Sequence, residues 1–156
     1  MGKIIALAAD EGEGKTTVLN YLIDMLYCVA EESEIYRNYD TDSWAWFKIN
    51  GQWVFIGTAG DEAKIVKQNI NYAKNYDCVI GLTASHVKDE TAKEVLKHVS
   101  SDGSPIKMIY KKELEDELSK IDENLNAKNR IIAGKLFQEI FNATVPELAE
   151  KRLIQE

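Results

Sequence analysis

The sequence contains few cysteines, and its charge is predominantly acidic. Its only two cysteines, Cys28 and Cys78, lie in apolar segments without the spacing of a metal site. We therefore expect two reduced core thiols of a cytosolic protein and no disulfide framework. The formal net charge of −7 and the pI near 5.0 argue against a broad nucleic-acid interface, which needs a basic face to release phosphate counterions.

Long hydrophobic runs are also missing. No apolar segment approaches the length of a membrane span, and Met1 leads directly into an apolar strand without the features of a signal peptide. We therefore expect a soluble cytoplasmic protein without a membrane partner. A length of 156 residues suits one domain, residues 1–156, with one site cleft and no separate substrate domain.

The remaining pattern alternates between strands and helices. Asn50-Gly51 separates two apolar runs, which is the strongest short signal for a β-hairpin. Helical spacing of apolar residues follows Lys15 and Asp61 and recurs near residues 90–99. The sequence thus predicts an α/β fold whose mostly parallel sheet has about five strands plus one antiparallel hairpin strand. The other predicted strands cover residues 4–8, 34–38, 78–83 and 106–110.

A glycine-bearing turn, residues 9–17, joins the first predicted strand to the first predicted helix. Gly12 and Gly14 allow the backbone N–H groups of residues 12–14, including Glu13, to point at an anion, and the helix adds its positive end. Lys15 would reach the β- and γ-phosphates of a nucleotide. The Thr16 hydroxyl would ligate the Mg²⁺ that those phosphates carry, with Thr17 near the α-phosphate.

This turn resembles the Walker A motif of P-loop NTPases, although Ala9 stands where the family pattern opens with glycine. The resemblance implies a three-layer P-loop fold, a single nucleotide-binding domain, and ATP or GTP with Mg²⁺ as cofactors. Over most of its length the chain also looks like small uncharacterised P-loop proteins of phages and bacteria. That second resemblance implies a fold and no particular reaction.

Phosphoryl transfer also needs carboxylates on the metal side, and three aspartates qualify. Asp40-Thr41-Asp42 resembles the D-x-D of shikimate-type small-molecule kinases, which implies catalytic and metal-side roles for Asp40 and Asp42. We rank these two ahead of Asp61, because a polar loop leaving a strand beside the first strand can reach the ion. Asp61 is a further metal-ligand candidate, but Asp before a helical run is ordinarily a helix cap.

Residues 47–61 resemble the corresponding part of Ras-like GTPases. Gly57 stands where their D-T-A-G motif has aspartate, and residues 111–114 replace the guanine-reading N-K-x-D. An arginine-rich lid is absent between residues 102 and 112. Two functions therefore stay open: an ATP-dependent phosphotransferase or NTP hydrolase with an unknown small-molecule acceptor, and a nucleotide-dependent switch that acts through a protein partner.

Several other residues have a functional and a structural interpretation, and we favour the structural one for each. The aromatic stripe of Trp44, Trp46 and Trp53 could stack on bases, but cross-strand aromatics more often pack together. Arg130 could act as an arginine finger, yet a solvated helix face is the commoner role. His86 could be a general base, but an ordinary loop histidine without a catalytic role is the commoner case.

Overall fold

The computed structural model describes residues 2–10, 12, 14–37, 42–60, 62–87, 93, 97, 106–120 and 124–145. Within them the chain forms a six-stranded mixed sheet with four helices, so the predicted α/β class is confirmed. None of these helices has the length and apolar composition that crossing a membrane requires. The helix predicted near residues 90–99 lies almost wholly outside the described residues.

The described residues form six strands, which are β1 (Lys3–Ala8), β2 (Glu32–Arg37), β3 (Ser43–Ile49), β4 (Gln52–Gly57), β5 (Ile80–Ser85) and β6 (Ile106–Tyr110). They form one sheet with the spatial order β2-β3-β4-β5-β1-β6. The four neighbouring strands β4, β5, β1 and β6 pair in parallel, whereas β3 is antiparallel to both β2 and β4. Strand β1 is hydrogen-bonded on both sides, as expected of an internal strand. The helices are α1 (Lys15–Val29), α2 (Ala63–Asn75), α3 (Lys111–Leu118) and α4 (Leu125–Ala143).

The predicted hairpin is confirmed. A two-residue loop joins β3 to β4, and its φ angles are 51° at Asn50 and 76° at Gly51. Two positive φ values in succession define the turn that matches the natural twist of a hairpin, and Asn-Gly is the pair that adopts it most readily. Strand β3 is therefore the antiparallel hairpin strand that the sequence indicated.

Strand β1 shows how helices cover both faces of the sheet. Ile5 and Leu7 belong to one buried cluster together with apolar residues of α1 and α4. Ile4 and Ala6 belong to a second cluster, which contains the apolar face of α2. Because successive strand residues point to opposite faces, a strand apolar at every position must be buried on both sides.

The aromatic residues of the hairpin pack in or against the buried cluster on the α2 face of the sheet. Trp46 is buried in the cluster on the α2 face, its ring lies 5.1 Å from that of Phe55, and its indole N–H donates to the Tyr72 carbonyl. This arrangement supports the packing interpretation for Trp46.

The expectation of two core thiols is half right, because Cys78 is buried and Cys28 is exposed.

An ion-pair cluster joins α4 to β1 and β6 at one end of the sheet. The Glu139 carboxylate accepts from Lys3 Nζ of β1 at 2.7 Å and from Lys107 Nζ of β6 at 3.1 Å. Partial burial would raise the pKa of Glu139, but the hydrogen bonds and charges of the two lysines outweigh it and hold that pKa below its ordinary value. The cluster therefore favours the ionised carboxylate in the folded protein.

Replacing Glu139 with glutamine is expected to lower the free energy of unfolding at neutral pH by about 0.5–1 kcal/mol, a small value because both lysines are substantially exposed. A carboxyl group with a depressed folded-state pKa stabilises the protein above its unfolded-state pKa, and this contribution disappears as the pH falls through the folded-state pKa. Urea unfolding across acidic pH should show the Glu139→Gln and wild-type curves converging. A constant difference at all pH values, or an equal effect of Glu117→Gln on α3, would contradict the assignment.

Candidate functional site

The β1–α1 loop, residues 9–14, begins at the carboxyl end of an internal strand. The Ala9 N–H donates to the Ser85 carbonyl at 3.1 Å, so the first loop residue continues the pairing of β1 with β5. Gly12 and Gly14 have φ angles of 80° and 85°, which side chains with a β-carbon rarely adopt. The chain then enters α1, where the Gly14 carbonyl accepts from the Val18 N–H at 3.1 Å.

The beginning of α1 is suited to an anion. Gly14 occupies the N-cap position, and no side chain in the described part of the protein caps the helix there. The first turn also contains no acidic residue. The first N–H groups of a helix have no partner within it and carry its positive partial charge, so an anion at this position would satisfy them.

Lys15 turns back over the loop from the first position of α1. Its side chain is only 5% exposed, and Nζ donates to the Ala9 carbonyl at 3.1 Å. This bond joins the first residue of α1 to the first residue of the loop and keeps the ammonium largely out of water. Of the two threonines that follow, Thr16 is half-buried and Thr17 is exposed.

Two residues that the sequence analysis did not select approach the same loop. A β-carbon built on Gly14 would lie 3.5 Å from Asn129 Nδ2 and 3.7 Å from Lys111 Nζ. Lys111 is the first residue of α3 and is completely buried, with its ammonium paired to Glu115 one turn along the helix. Asn129 lies near the beginning of α4 and is 5% exposed.

Asn129 has a buried side-chain oxygen, Oδ1, without a hydrogen-bond partner among the described residues. A buried polar atom without a partner costs about 1–3 kcal/mol, so this acceptor is a place where an incoming donor would be favoured. One sequence signal could have identified Asn129, because it is a polar residue on the apolar stripe of α4 that includes Ile132, Leu136 and Ile140.

A cavity of about 440 Å³ adjoins the loop at the carboxyl ends of β1 and β6. Its lining comes from the end of β1 and the beginning of the loop, from the end of β6, from Val87 and from α3. This volume is within the range of small-molecule sites. The acidic side chains that line the cavity can accept hydrogen bonds from a ligand. The lining residues are Ala8, Ala9, Asp10, Val87, Tyr110, Lys112, Glu113 and Asp116.

Asp40 and Asp42 were ranked first as metal ligands because the strand before them was expected to lie beside β1. That strand is β2, which is at the far end of the sheet from β1, so this expectation is wrong. Asp42 is half-buried and directly precedes β3, at the same sheet edge as the β1–α1 loop. With strands about 4.8 Å apart, three strand spacings separate the start of β3 from β1 by about 14 Å.

Asp40, Asp61 and Glu13 lie outside the described residues, so their predicted roles stay predictions. Within the described residues no three histidine, cysteine, aspartate or glutamate side chains lie together as a metal site would require. Mg²⁺ commonly uses only one or two carboxylates and completes its shell with water and phosphate oxygens. A role for Asp42 or Thr16 at such an ion is therefore also still a prediction.

Arg130 and His86 are the remaining candidates, and the structure gives the Arg130 side chain an aromatic partner. Arg130 is exposed on α4, and its guanidinium lies 5.5 Å from the centre of the Tyr21 ring of α1. His86 follows β5 at the sheet edge that carries the loop, and its carbonyl accepts from the Ser85 hydroxyl at 3.0 Å. The position of Arg130 on an aromatic ring supports the structural interpretation of that residue.

Comparisons of this chain with protein-family models, with curated proteins and with solved structures find no match.

Proposed function

We propose that this protein adopts a P-loop NTPase fold, binds a Mg²⁺–nucleoside triphosphate on the β1–α1 loop, and transfers or hydrolyses the terminal phosphoryl group. The observation that carries the proposal is the combination of a left-handed Gly14, an α1 N-terminus without a described side-chain cap, and a buried Lys15. A phosphate bound at the start of α1 would meet backbone N–H donors and the positive end of the helix dipole, and the Lys15 ammonium follows directly after the Gly14 N-cap. A bound phosphate would replace the Ala9 carbonyl as the acceptor of the hydrogen bond from Lys15 Nζ.

The other predicted residues fit around this ligand. Thr16 would supply a hydroxyl oxygen to Mg²⁺, whose charge offsets that of the phosphates, and Asp42 and Asp40 are the proposed metal-side carboxylates, with Asp61 as a further ligand. The nucleoside would occupy the neighbouring cavity, where Glu113 and Asp116 offer acceptors for base N–H groups. Both adenine and guanine carry such donors, so ATP and GTP are both proposed ligands.

Calorimetric titration tests the binding. We expect saturable binding of one MgATP or MgGTP per chain, with weaker binding when EDTA removes the metal and much weaker binding of the nucleoside monophosphates. The order triphosphate, diphosphate, monophosphate follows if the loop recognises phosphates through charge-assisted hydrogen bonds. Failure to bind either triphosphate, or equal binding of AMP and ATP, would contradict the proposal.

The choice between an enzyme and a switch depends on turnover. The turn after β4 is firmly held, because Asn69 Nδ2 donates to the Ala59 carbonyl at 2.9 Å and to Thr83 Oγ1 at 3.0 Å. A phosphate-sensing switch segment must instead change conformation readily, so this anchoring favours the enzyme. A screen of nucleoside monophosphates and small alcohols for acceptor-stimulated ADP release would distinguish the two, since a switch shows no acceptor-dependent turnover.

A further inference from the structure

Lys111 is a buried cation, and its one hydrogen-bond partner among the described residues is Glu115. The ammonium is fully buried beside the β1–α1 loop and is paired with Glu115, whose side chain is 18% exposed. A lysine ammonium has three donor hydrogens in adjustable directions, and one carboxylate contact uses only part of them. Nζ lies 3.7 Å from the β-carbon position of Gly14, at the very residue where α1 begins.

Asn129 lies on the same side of Gly14 as Lys111. Its Nδ2 atom is 3.5 Å from the same β-carbon position, and its buried Oδ1 lacks a hydrogen-bond partner within the described part of the chain. A cation that moved towards Gly14 would approach the Asn129 amide group, whose oxygen can still accept a hydrogen bond. Lys111 of α3 and Asn129 of α4 therefore bring a donor and an amide with a vacant acceptor to the residue that caps α1.

We propose that Lys111 is a second cation of the triphosphate site, held in place by Glu115 until a ligand phosphate replaces that carboxylate. In the complex the Lys111 ammonium donates to a phosphate oxygen and to Asn129 Oδ1, while Glu115 turns towards solvent. The exchange is favourable because a phosphate carries more negative charge than one carboxylate, and charges attract more strongly where water is excluded. This inference rests on the proposed function, and it makes the ligand's phosphates the group that Lys111 recognises.

The proposal predicts opposite effects for the two partners of the ion pair. Lys111→Met should weaken MgATP binding by roughly tenfold to a hundredfold, the loss expected for one charge-assisted hydrogen bond. Glu115→Gln should strengthen MgATP binding by about threefold to tenfold, because the competing carboxylate has lost its charge. Both variants should shift the affinity for pyrophosphate with Mg²⁺ by a similar factor, since pyrophosphate has no nucleoside.

Matched controls on the same part of the chain separate a specific contact from a change in net charge. Lys120→Met removes one positive charge and Glu117→Gln one negative charge, both at exposed positions within or just after α3. We expect both controls to bind MgATP and pyrophosphate within about twofold of wild type, because exposed charges interact weakly. Thermal unfolding of each variant would establish that it is folded during the titration. If Lys111→Met does not fold, the Glu115→Gln and Glu117→Gln pair still decides the question.

Three results would overturn the inference. These are a Glu115→Gln affinity equal to wild type, an effect no larger than that of Glu117→Gln, and a change in ATP binding without any change in pyrophosphate binding. The last result would assign Lys111 to the nucleoside instead of the phosphates. Lys15→Ala distinguishes this failure from failure of the proposed function, because it should weaken binding even if Lys111 plays no part.

Discussion

Lys15→Ala is expected to weaken MgATP binding by roughly tenfold to a hundredfold and to leave the fold intact. The wild-type ammonium is buried and donates to the Ala9 carbonyl at 3.1 Å, an interaction that closes the loop without filling a hydrophobic core. Burying an ammonium costs free energy, and removing the Lys15 side chain also removes this cost. Lys15→Ala should therefore lower the free energy of unfolding only slightly. A residue that contributes little to stability and much to binding is typical of a functional site.

The measurement is calorimetric titration of both proteins with MgATP and MgGTP, accompanied by thermal unfolding. Lys64→Ala on α2 is the matched control, because it removes the same charge from an exposed helical position. We expect the control to bind as wild type does. Equal affinities of Lys15→Ala and wild type would exclude Lys15 from the site, and a large fall in melting temperature would show that the residue is structural.

The parts of the fold that the sequence predicted well depend on local patterns. The strand 106–110 was predicted with the bounds that the structure shows, and Asn50-Gly51 determined the hairpin by its own backbone preferences. The position of β2 was not predictable in this way. Two of its six residues are half-buried and the others are exposed, so its pattern contains little information about which strand it joins. Pairing between distant strands is decided by tertiary packing, which periodicity does not reveal.

The same distinction applies to the site. The residues of the β1–α1 loop are adjacent in sequence, so their spacing alone predicted a glycine-bearing turn between a strand and a helix, and anion binding by this turn stays a prediction. Lys111 and Asn129 reach Gly14 from two later helices, and only the fold brings them there. Asp42 illustrates the reverse case. Its carboxylate suits a Mg²⁺ site, but β2 and β1 are not neighbours in the sheet as its selection from the sequence assumed.

Gly60→Ala is expected to lower the free energy of unfolding by about 2–3 kcal/mol, which corresponds to a fall in melting temperature of about 5–10 °C. Gly60 is buried in the turn after β4, and a β-carbon there would lie 2.3 Å from the backbone carbonyl atoms of Ala84 in β5. Backbone atoms of an internal strand cannot move aside as a flexible side chain can. The added methyl group must therefore push the turn away from β5 or distort the strand.

Gly134→Ala in α4 is the matched control, because the same methyl group meets no atom within 4 Å there. Alanine is favoured over glycine within a helix, so this variant should be more stable than wild type by about 0.5–1 kcal/mol. Thermal and urea unfolding of the two variants should therefore change in opposite directions. A Gly60→Ala variant as stable as wild type would show that the turn can separate from β5. Because the turn would then be mobile at the sheet edge that carries the β1–α1 loop, that result would favour the nucleotide-dependent switch over the enzyme.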